Sequence, residues 1–110
     1  MDNTKDDNYY VGKIKKDIEF LIKHTKSLTN KEMQSDEVLL DSIMFRLVQI
    51  SENSAKLTDK FKQQHSEISW FAIRGLRNRI VHDYGNVDYS IIYDTVKTDI
   101  LNLYDILKNC

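Results

Sequence analysis

One eight-residue segment holds most of the side chains in this chain that could do chemistry. It reads Arg77-Asn78-Arg79-Ile80-Val81-His82-Asp83-Tyr84. An arginine can hold a phosphate, a histidine can move a proton near neutral pH, and a tyrosine hydroxyl can donate or accept a hydrogen bond. If the segment is helical, these groups lie within about two turns of each other. Together they could support cleavage of a phosphodiester without a metal ion.

The composition favours a single helical domain that can position such a segment. At 110 residues the chain has room for one hydrophobic core. It contains no proline and only three glycines, too few turn formers for an all-β fold. Apolar residues make up 41% and charged residues 30%, an ordinary balance for a globular protein. We therefore expect an all-α fold.

The remaining bulk features bear on location. Cys110 is the single cysteine, so no intramolecular disulfide is possible. The first eight residues are polar rather than a hydrophobic leader, and no apolar run approaches the ~18 residues of a membrane span. We expect a cytoplasmic protein with no membrane partner.

Apolar residues repeat at helical spacing in four long stretches. The four predicted helices run from Tyr9 to about Ser27, from a cap at Ser35 or Asp36 to about Leu57, from Trp70 after a Ser69 cap to shortly before Gly85, and from an Asp88 cap to about Lys108. A short polar helix is predicted from Thr58 or Asp59 to Gln64 or His65, and residues 29–31 are predicted as a connection. The second long helix is the most apolar, on more than one face, and we expect it to be central.

These elements predict an up-and-down bundle of four main helices plus a short extra helix. Residues 1–8 are expected to form a disordered N-terminal tail, and residues 9–110 a single helical domain.

Helical geometry divides the side chains of the central segment. Asn78 and His82 are four residues apart and share a face, and Arg79 lies three residues before His82. Arg77 and His82 are five apart, which places them roughly 140° apart around an ideal helix. Either the helix distorts near Val81, or the arginine of one subunit meets the histidine of another. The second alternative predicts a symmetric dimer with these helices facing each other.

Structural roles are open for the same residues. A histidine near the end of a helix often only caps carbonyl groups. Arg74, Arg77 and Arg79 could be ion-pair partners of the acidic second helix. Tyr84 could be a packing residue whose hydroxyl lies in water.

Charge and motif content exclude other classes of site. The net charge is −1, but positive charge is concentrated in residues 9–31, with six lysines against two acids, and in residues 70–84, with three arginines against one acid. Local attraction of a phosphate backbone is therefore possible. Three scattered histidines and one terminal cysteine match no zinc-ligand pattern, and no glycine-rich phosphate loop is present. We expect no metal and no cofactor.

The segment and its surroundings resemble a known family. Arg77, His82 and Tyr84 match the Arg-x4-His-x-Tyr signature of the HEPN superfamily, and more narrowly of the HepT toxins of HepT–MNT toxin–antitoxin pairs. Residues 70–84 resemble that family's Trp-x-x-Ile-Arg-Gly-x-Arg-Asn-x-x-x-His-x-Tyr stretch, and residues 47–52 resemble its second-helix pattern. Ser51 stands where glycine is commoner, and Ser69 where a proline often precedes the tryptophan. The resemblance covers roughly residues 10–108.

The resemblance implies a homodimeric endoribonuclease whose site is formed where two copies of the motif meet. In a metal-independent reaction the 2′-hydroxyl of the RNA would attack the adjacent phosphorus. His82 would act as general base or acid, and Arg77 would stabilise charge on the phosphate. Asn78 could orient the phosphate or His82, and Arg79 or Arg74 could follow the RNA backbone.

The resemblance also implies a means of control and a rival function. Tyr84 matches the tyrosine that an MNT-type nucleotidyltransferase antitoxin modifies with AMP in this family. A bulky anion beside an RNA-binding cleft would repel phosphate. HEPN-like bundles also occur as non-catalytic helical partners of nucleotidyltransferases, and a near-neutral net charge fits that reading. A scaffold, however, needs none of Arg77, His82 and Tyr84.

Overall fold

The structure is a computed structural model that describes residues 5–110. Within this range all regular structure is helical. The elements are α1 (Asp7–Thr25), α2 (Asn30–Gln34), α3 (Glu37–Ser54), α4 (Asp59–Gln64), α5 (Trp70–His82), a 3-10 turn (Tyr84–Asn86), α6 (Tyr89–Asp94), a π-helical turn (Thr95–Asp99) and α7 (Ile100–Leu107). The prediction of an all-α bundle is confirmed.

Side-chain caps set the starts of the helices where the sequence places them. The carboxylate of Asp36 accepts the N–H of Leu39 at 3.0 Å. The hydroxyl of Ser69 accepts the N–H of Ala72 at the start of α5. The carboxylate of Asp88 accepts backbone N–H groups at the start of α6. Each bond satisfies a donor that the first helical turn leaves unpaired.

Helix α1 begins at Asp7, two residues before the predicted start at Tyr9. Asp6 caps it by accepting the N–H of Tyr9. Residues 1–4 of the predicted tail lie outside the described residues. Asp7 and Asn8 of the predicted tail belong to the helix.

The predicted connection at residues 29–31 is wrong, because α2 starts there. The hydroxyl of Thr29 accepts the N–H of Glu32, and the carboxylate of Glu32 accepts the N–H of Thr29. This reciprocal capping box stabilises a short helix. Met33 at its inner side is fully buried. The bundle therefore carries two short helices rather than one.

The core is one apolar cluster shared by several helices. Helix α1 packs against α3 and α7, and α3 packs against α5. The buried members of the cluster are Val11, Ile14, Ile18, Leu21, Met33, Leu40, Ile43, Met44, Leu47, Ile50, Leu57, Ile68, Ile80, Ile92, Val96, Ile100, Leu103 and Leu107. Burial of apolar area at about 25 cal/mol per Å² is the main force that holds such a bundle together.

The predicted final helix is interrupted by the π-helical turn. Lys97 in this turn donates to the carbonyl oxygens of Thr25 at 2.9 Å and Lys26 at 3.2 Å. These carbonyls belong to the end of α1, where no intrahelical partner remains. The turn therefore places a cation at the negative end of α1.

Helix α3 ends at Ser54, three residues before the predicted end, and it is not buried on all its apolar faces. Val38 is 78% exposed and Phe45 is 59% exposed. The expectation that its apolar residues meet several neighbours is thus only partly met within one chain. Among residues 5–110, no helix combines the length and apolar character needed to cross a membrane.

Candidate active site on α3 and α5

Helix α5 carries most of the predicted site and is attached to the bundle along one side. Ile80 is its single fully buried residue. Ile73, Leu76 and Trp70 pack against the core while remaining partly exposed. The rest of the helix surface is available for polar chemistry.

Arg77 is anchored to α3. Its Nε donates to Oε1 of Glu52 at 2.9 Å, and its Nη1 donates to Oδ1 of Asn78 at 3.1 Å. Arg74 also donates to Oε1 of Glu52, at 3.2 Å. Two guanidinium groups therefore share one carboxylate, which fixes the plane of the Arg77 guanidinium and leaves its Nη2 without a partner in the described part of the chain. A group held in this way can still bind a phosphate oxygen through its outer edge.

The open alternative for the arginines is confirmed in part. Arg74 and Arg77 pair with the second long helix, as ion-pair partners would. Arg79 is exposed and forms no ion pair within residues 5–110. The pairing explains why Arg77 is only 21% exposed in its side chain.

Tyr84 is anchored to the same helix at the other end. Its hydroxyl donates to Oδ1 of Asp41. Burial raises the pKa of Tyr84 from 10.0 to about 12, and the hydrogen bond and negative charge of Asp41 add to the effect, as does Tyr89. The alternative in which the hydroxyl lies free in water is therefore wrong. Tyr84 is nonetheless 43% exposed as a residue, so a partner could reach it.

These contacts fix the relative direction of the two helices. Glu52 near the end of α3 meets the middle of α5, and Asp41 near the start of α3 meets the residue just after α5, so the helices are antiparallel. Asp41 and Glu52 are eleven residues apart. They lie only about 20° apart around the helix and ~16 Å apart along it. One face of α3 thus holds both ends of the candidate site.

His82 differs from both anchored residues. It is the last residue of α5 and is exposed, and its side chain makes no hydrogen bond to any residue in the described range. The role of a carbonyl cap is therefore not seen. Helix α5 runs unbroken through His82, so distortion near Val81 does not occur. The structure brings Arg77 to Arg74 and Asn78, but it does not bring His82 to Arg77.

The face of α5 that bears His82 points outward. At helical spacing it contains Phe71, Gly75, Asn78 and His82. Phe71 is 90% exposed. A Cβ added to Gly75 would meet nothing within 4 Å. Within one chain, this face has an unburied aromatic ring and a mid-helix glycine that internal packing does not require.

An apolar cavity borders this face of α5, and both Phe71 and Gly75 are among its lining residues. Its volume is about 490 Å³, and it is formed between α5 and the C-terminal helices over a floor that includes Leu47 and Ile50. Arg79 is at its edge, with Asp99 and Asn102. Arg79 is therefore directed away from the Arg77–Glu52 pair. In residues 5–110, no group of three or more His, Cys, Asp or Glu side chains could hold a metal ion.

Sequence reasoning did not single out the two carboxylates. Glu52 lies within the second-helix pattern of residues 47–52, but that pattern indicates no role for it, and no motif marks Asp41. The available signal was the spacing of the two acids on one face of an apolar helix. That signal becomes specific only when α5 is placed antiparallel beside it.

The fold and site define a class: an all-α bundle with an arginine and a histidine on the second half of one helix and a tyrosine in the turn that follows it. A family model described as "Ribonuclease HepT-like" matches residues 14–110. The chain belongs to the ribonuclease HepT-like family, and the enzyme class of that family is ribonuclease.

Relatives of the chain carry names of the same kind. It is 32% identical over 94 residues to "Putative RNase TTE0752" of Caldanaerobacter subterraneus subsp. tengcongensis, a match that covers 86% of this chain and 84% of that protein. It is 29% identical over 94 residues to "Probable ribonuclease HepT" of Thermococcus cleftensis, which covers 86% of each. No solved structure matches the chain significantly.

Proposed function

We propose that this chain is the toxin of a prokaryotic toxin–antitoxin pair, an endoribonuclease that cleaves RNA in the cytoplasm without a metal ion. We further propose that its site is composite, with Arg77 of one subunit and His82 of the other at each cleft of a homodimer. The observation that carries this proposal is the unbroken α5, which holds Arg77 and His82 on different faces.

The chemistry follows from the two side chains. The 2′-hydroxyl of the RNA attacks the adjacent phosphorus, and its proton passes to the imidazole of His82. The bond from phosphorus to the 5′-oxygen breaks, that oxygen takes up a proton, and a 2′,3′-cyclic phosphate remains. Arg77 binds the non-bridging oxygens, on which negative charge accumulates in the transition state.

The Glu52 contact suits this role for Arg77. Because Glu52 accepts from Nε and Asn78 accepts from Nη1, Nη2 remains available to bind a phosphate oxygen. The cluster of Arg74, Arg77 and Glu52 carries a net charge of +1, which attracts phosphate while the guanidinium stays in one orientation. Such preorganisation lowers the cost of orienting the group during the reaction. Asn78 accepts a hydrogen bond from Arg77 and can donate through its amide to the phosphate or to His82.

The outward face of α5 supports a dimer in which these helices meet. Glycine within a helix costs roughly 0.5–1 kcal/mol relative to alanine. Gly75 incurs this cost although no neighbour among the described residues lies within 4 Å of an added Cβ. Close approach of a second α5 explains the residue, and Phe71 beside it supplies apolar area for the contact. A two-fold axis through this face would bring each His82 towards the Arg77 of the other subunit.

We propose that an MNT-type nucleotidyltransferase antitoxin neutralises the enzyme by adding AMP to Tyr84. The resemblance of residues 77–84 supports this, as does the place of the tyrosine two residues beyond His82. The added phosphate would lie near the cleft and repel the RNA backbone.

Mixing two inactive variants tests the composite site. Arg77→Ala and His82→Ala dimers are each expected to be inactive. After subunit exchange, a heterodimer has one cleft that lacks both groups and one that keeps both. Random exchange should therefore restore roughly one quarter of wild-type RNA cleavage.

Different affinity tags on the two variants show whether exchange has occurred. Exchange without recovery of cleavage would contradict the composite site, as would a monomer by light scattering. RNA cleavage that disappears in excess chelator would contradict the metal-free reaction but not the composite site.

The second candidate function is a non-catalytic helical partner of a nucleotidyltransferase. One observation favours it, since Glu52 gives Arg74 and Arg77 a structural role without RNA. Induction of the wild-type chain in bacteria separates the two functions. Growth arrest that His82→Ala relieves supports the ribonuclease, because the His82 side chain forms no hydrogen bond or ion pair with residues 5–110 whose loss could explain the relief. Equal growth of cells that produce the wild type, Arg77→Ala or His82→Ala supports the scaffold function.

A further inference from the structure

The contact between Tyr84 and Asp41 joins a hydroxyl to a carboxylate from a different helix. Tyr84 lies in the 3-10 turn after α5, and Asp41 lies on α3, forty-three residues earlier. The bond connects the phenolic oxygen directly to a carboxylate oxygen with no intervening group. A nucleophile and a base within hydrogen-bond reach are the usual arrangement by which a protein activates a hydroxyl.

The position of this pair distinguishes it from an ordinary structural contact. Tyr84 is 43% exposed as a residue, and Asp41 is exposed as well, so an electrophile can approach the oxygen from solvent. A comparable bond joins Tyr104 to Glu19 at 2.9 Å, on α7 and α1. Only the Tyr84 pair lies beside the residues of the candidate active site.

The acidities favour transfer of a proton during bond formation. A free phenol holds its proton much more tightly than a carboxylic acid does, so Tyr84 stays protonated in the resting protein. As the phenolic oxygen bonds to an electrophile, its proton becomes far more acidic than a carboxylic acid. A base of intermediate strength that already accepts the hydrogen bond then takes the proton without rearrangement.

We propose that Asp41 is the general base that activates Tyr84 for its modification by a nucleoside triphosphate. The inference rests on the proposed function, in which Tyr84 receives AMP. The Tyr84 oxygen bonds to the α-phosphorus, the bond from that phosphorus to pyrophosphate breaks, and the phenolic proton passes to Asp41. Asp41 then releases the proton to water.

The same pair makes the modification a two-position switch. In the unmodified protein the hydroxyl donates to Asp41 and keeps the ring against α3. The esterified oxygen has no proton to donate, and the new phosphate carries a negative charge beside the carboxylate. Repulsion then moves the modified side chain off α3 and towards the cleft, where RNA would bind.

A small acyl donor tests the base without any partner protein. N-acetylimidazole transfers an acetyl group to tyrosine hydroxyls, and peptide mass spectrometry measures each site. Tyr9, which is 40% exposed, is the internal reference, and its hydroxyl contacts no carboxylate among the residues described. The ratio of the two acetylation rates cancels hydrolysis of the reagent.

The pH profile is the decisive readout. A tyrosine that reacts through its anion gains tenfold in rate per pH unit below its pKa, whereas one served by a carboxylate base is insensitive to pH from 6 to 8. The rate at Tyr84 should therefore be flat in the native chain. In Asp41→Asn the acetylation rate of Tyr84 should rise tenfold per pH unit. At pH 6 that rate should lie at least about tenfold below the rate in the native chain.

The other titratable groups near Tyr84 need a control. Tyr89 acts on it from α6, and His82 and Asp83 precede it in the chain. Because the imidazole of His82, two residues before Tyr84, could serve as an alternative base, both proteins are compared in a His82→Ala background. Tyr104 should acetylate equally in both, which confirms that Asp41→Asn retains the fold.

Each outcome has a single meaning. Acetylation of Tyr84 that is as fast in Asp41→Asn as in its parent at pH 6, or that rises tenfold per unit in both, overturns the inference. Incubation with an MNT-type nucleotidyltransferase and ATP then tests the proposed function separately. Asp41-dependent acetylation without AMP transfer would contradict the AMP modification while leaving the base assignment standing.

Discussion

The two sides of α5 differ in whether their polar groups find partners within the chain. On the side that faces α3, Arg77 meets Glu52, and just beyond the helix Tyr84 meets Asp41. On the outward side, the imidazole of His82 makes no hydrogen bond within the described range, and Phe71 is 90% exposed. The polar groups on the side that faces α3 find their partners within a single molecule, whereas the groups on the outward side do not.

This difference teaches where the missing half of the site should come from. A side chain that must be oriented before the reaction is held by contacts of its own chain, as Arg77 is. A side chain that must meet its counterpart across an interface stays free until the partner arrives.

The largest effect is expected from the loss of either central residue. Arg77→Ala and His82→Ala should each lower the rate of RNA cleavage about 10³-fold, since one removes charge stabilisation and the other removes proton transfer. Initial rates on a labelled RNA give the measurement. Arg77→Ala should lower the free energy of unfolding more than His82→Ala does. Arg77→Ala removes a hydrogen bond to Glu52, whereas the His82 side chain makes none within residues 5–110. A His82→Ala variant with wild-type cleavage would end the catalytic assignment.

Substitutions at two adjacent residues of α5 show how much a buried and an exposed position each contribute to the free energy of unfolding. Ile80 is 2% exposed and Val81 is 47% exposed. Ile80→Ala should lower the free energy of unfolding by about 3 kcal/mol through the cavity it leaves, whereas Val81→Ala should change it by less than about 0.5 kcal/mol. Urea denaturation of the two variants measures this. Equal losses would mean that Val81 is buried in the protein as it exists in solution, for example by a second copy.

Substitution of Glu52 tests the anchored side of α5 while Arg77 and His82 themselves stay in place. Glu52→Ala should lower kcat about tenfold, because Arg77 loses the contact that orients its guanidinium. Glu52→Gln should recover much of the rate, because its amide oxygen can still accept the Nε hydrogen. Steady-state cleavage separates kcat from KM. Unchanged kcat in both variants would show that Arg77 needs no anchor.

Gly75 tests the outward side. Gly75→Ala should raise the helical stability of the isolated chain by roughly 0.5–1 kcal/mol, since a Cβ there meets nothing. Gly75→Leu should leave folding intact but weaken dimerisation and cleavage together, about tenfold each. Sedimentation at several concentrations, paired with cleavage assays, reports both. A Gly75→Leu dimer as tight as the wild type would place the interface elsewhere.

A contact far from α5 should show the smallest effect. The carboxylate of Asp7 accepts hydrogen bonds from the hydroxyl and N–H of Thr58, at 2.7 and 2.9 Å, and these lower the pKa of Asp7. The stabilisation should be complete above pH 3.8, the ordinary value for an aspartate, and be lost as pH falls through the lowered value. Thermal unfolding of the native chain and Asp7→Asn should therefore differ at pH 6 and converge near pH 2. A difference that persists at pH 2 would rule out this contact as the cause.

Much of the fold could be predicted because its signals are local. Asp36, Ser69 and Asp88 cap helices where the sequence places them, since a cap needs only a side-chain oxygen and the next few N–H groups. The helix α2 was missed because five residues give too little periodicity to recognise. The π-helical turn at Thr95–Asp99 was missed because its cause, the reach of Lys97 to the end of α1, is distant in sequence.

The sequence by itself determined the helical architecture, the chemical contents of residues 77–84 and the angular separation of Arg77 from His82. Each depends on the order of residues and on the fixed geometry of a helix. The packing of α3 against α5 is what gives Arg77 its contact with Glu52 and Tyr84 its contact with Asp41, and it leaves the His82 side chain without a hydrogen bond among residues 5–110. Those contacts join residues twenty-five and forty-three positions apart, and they exist only because α3 and α5 lie antiparallel.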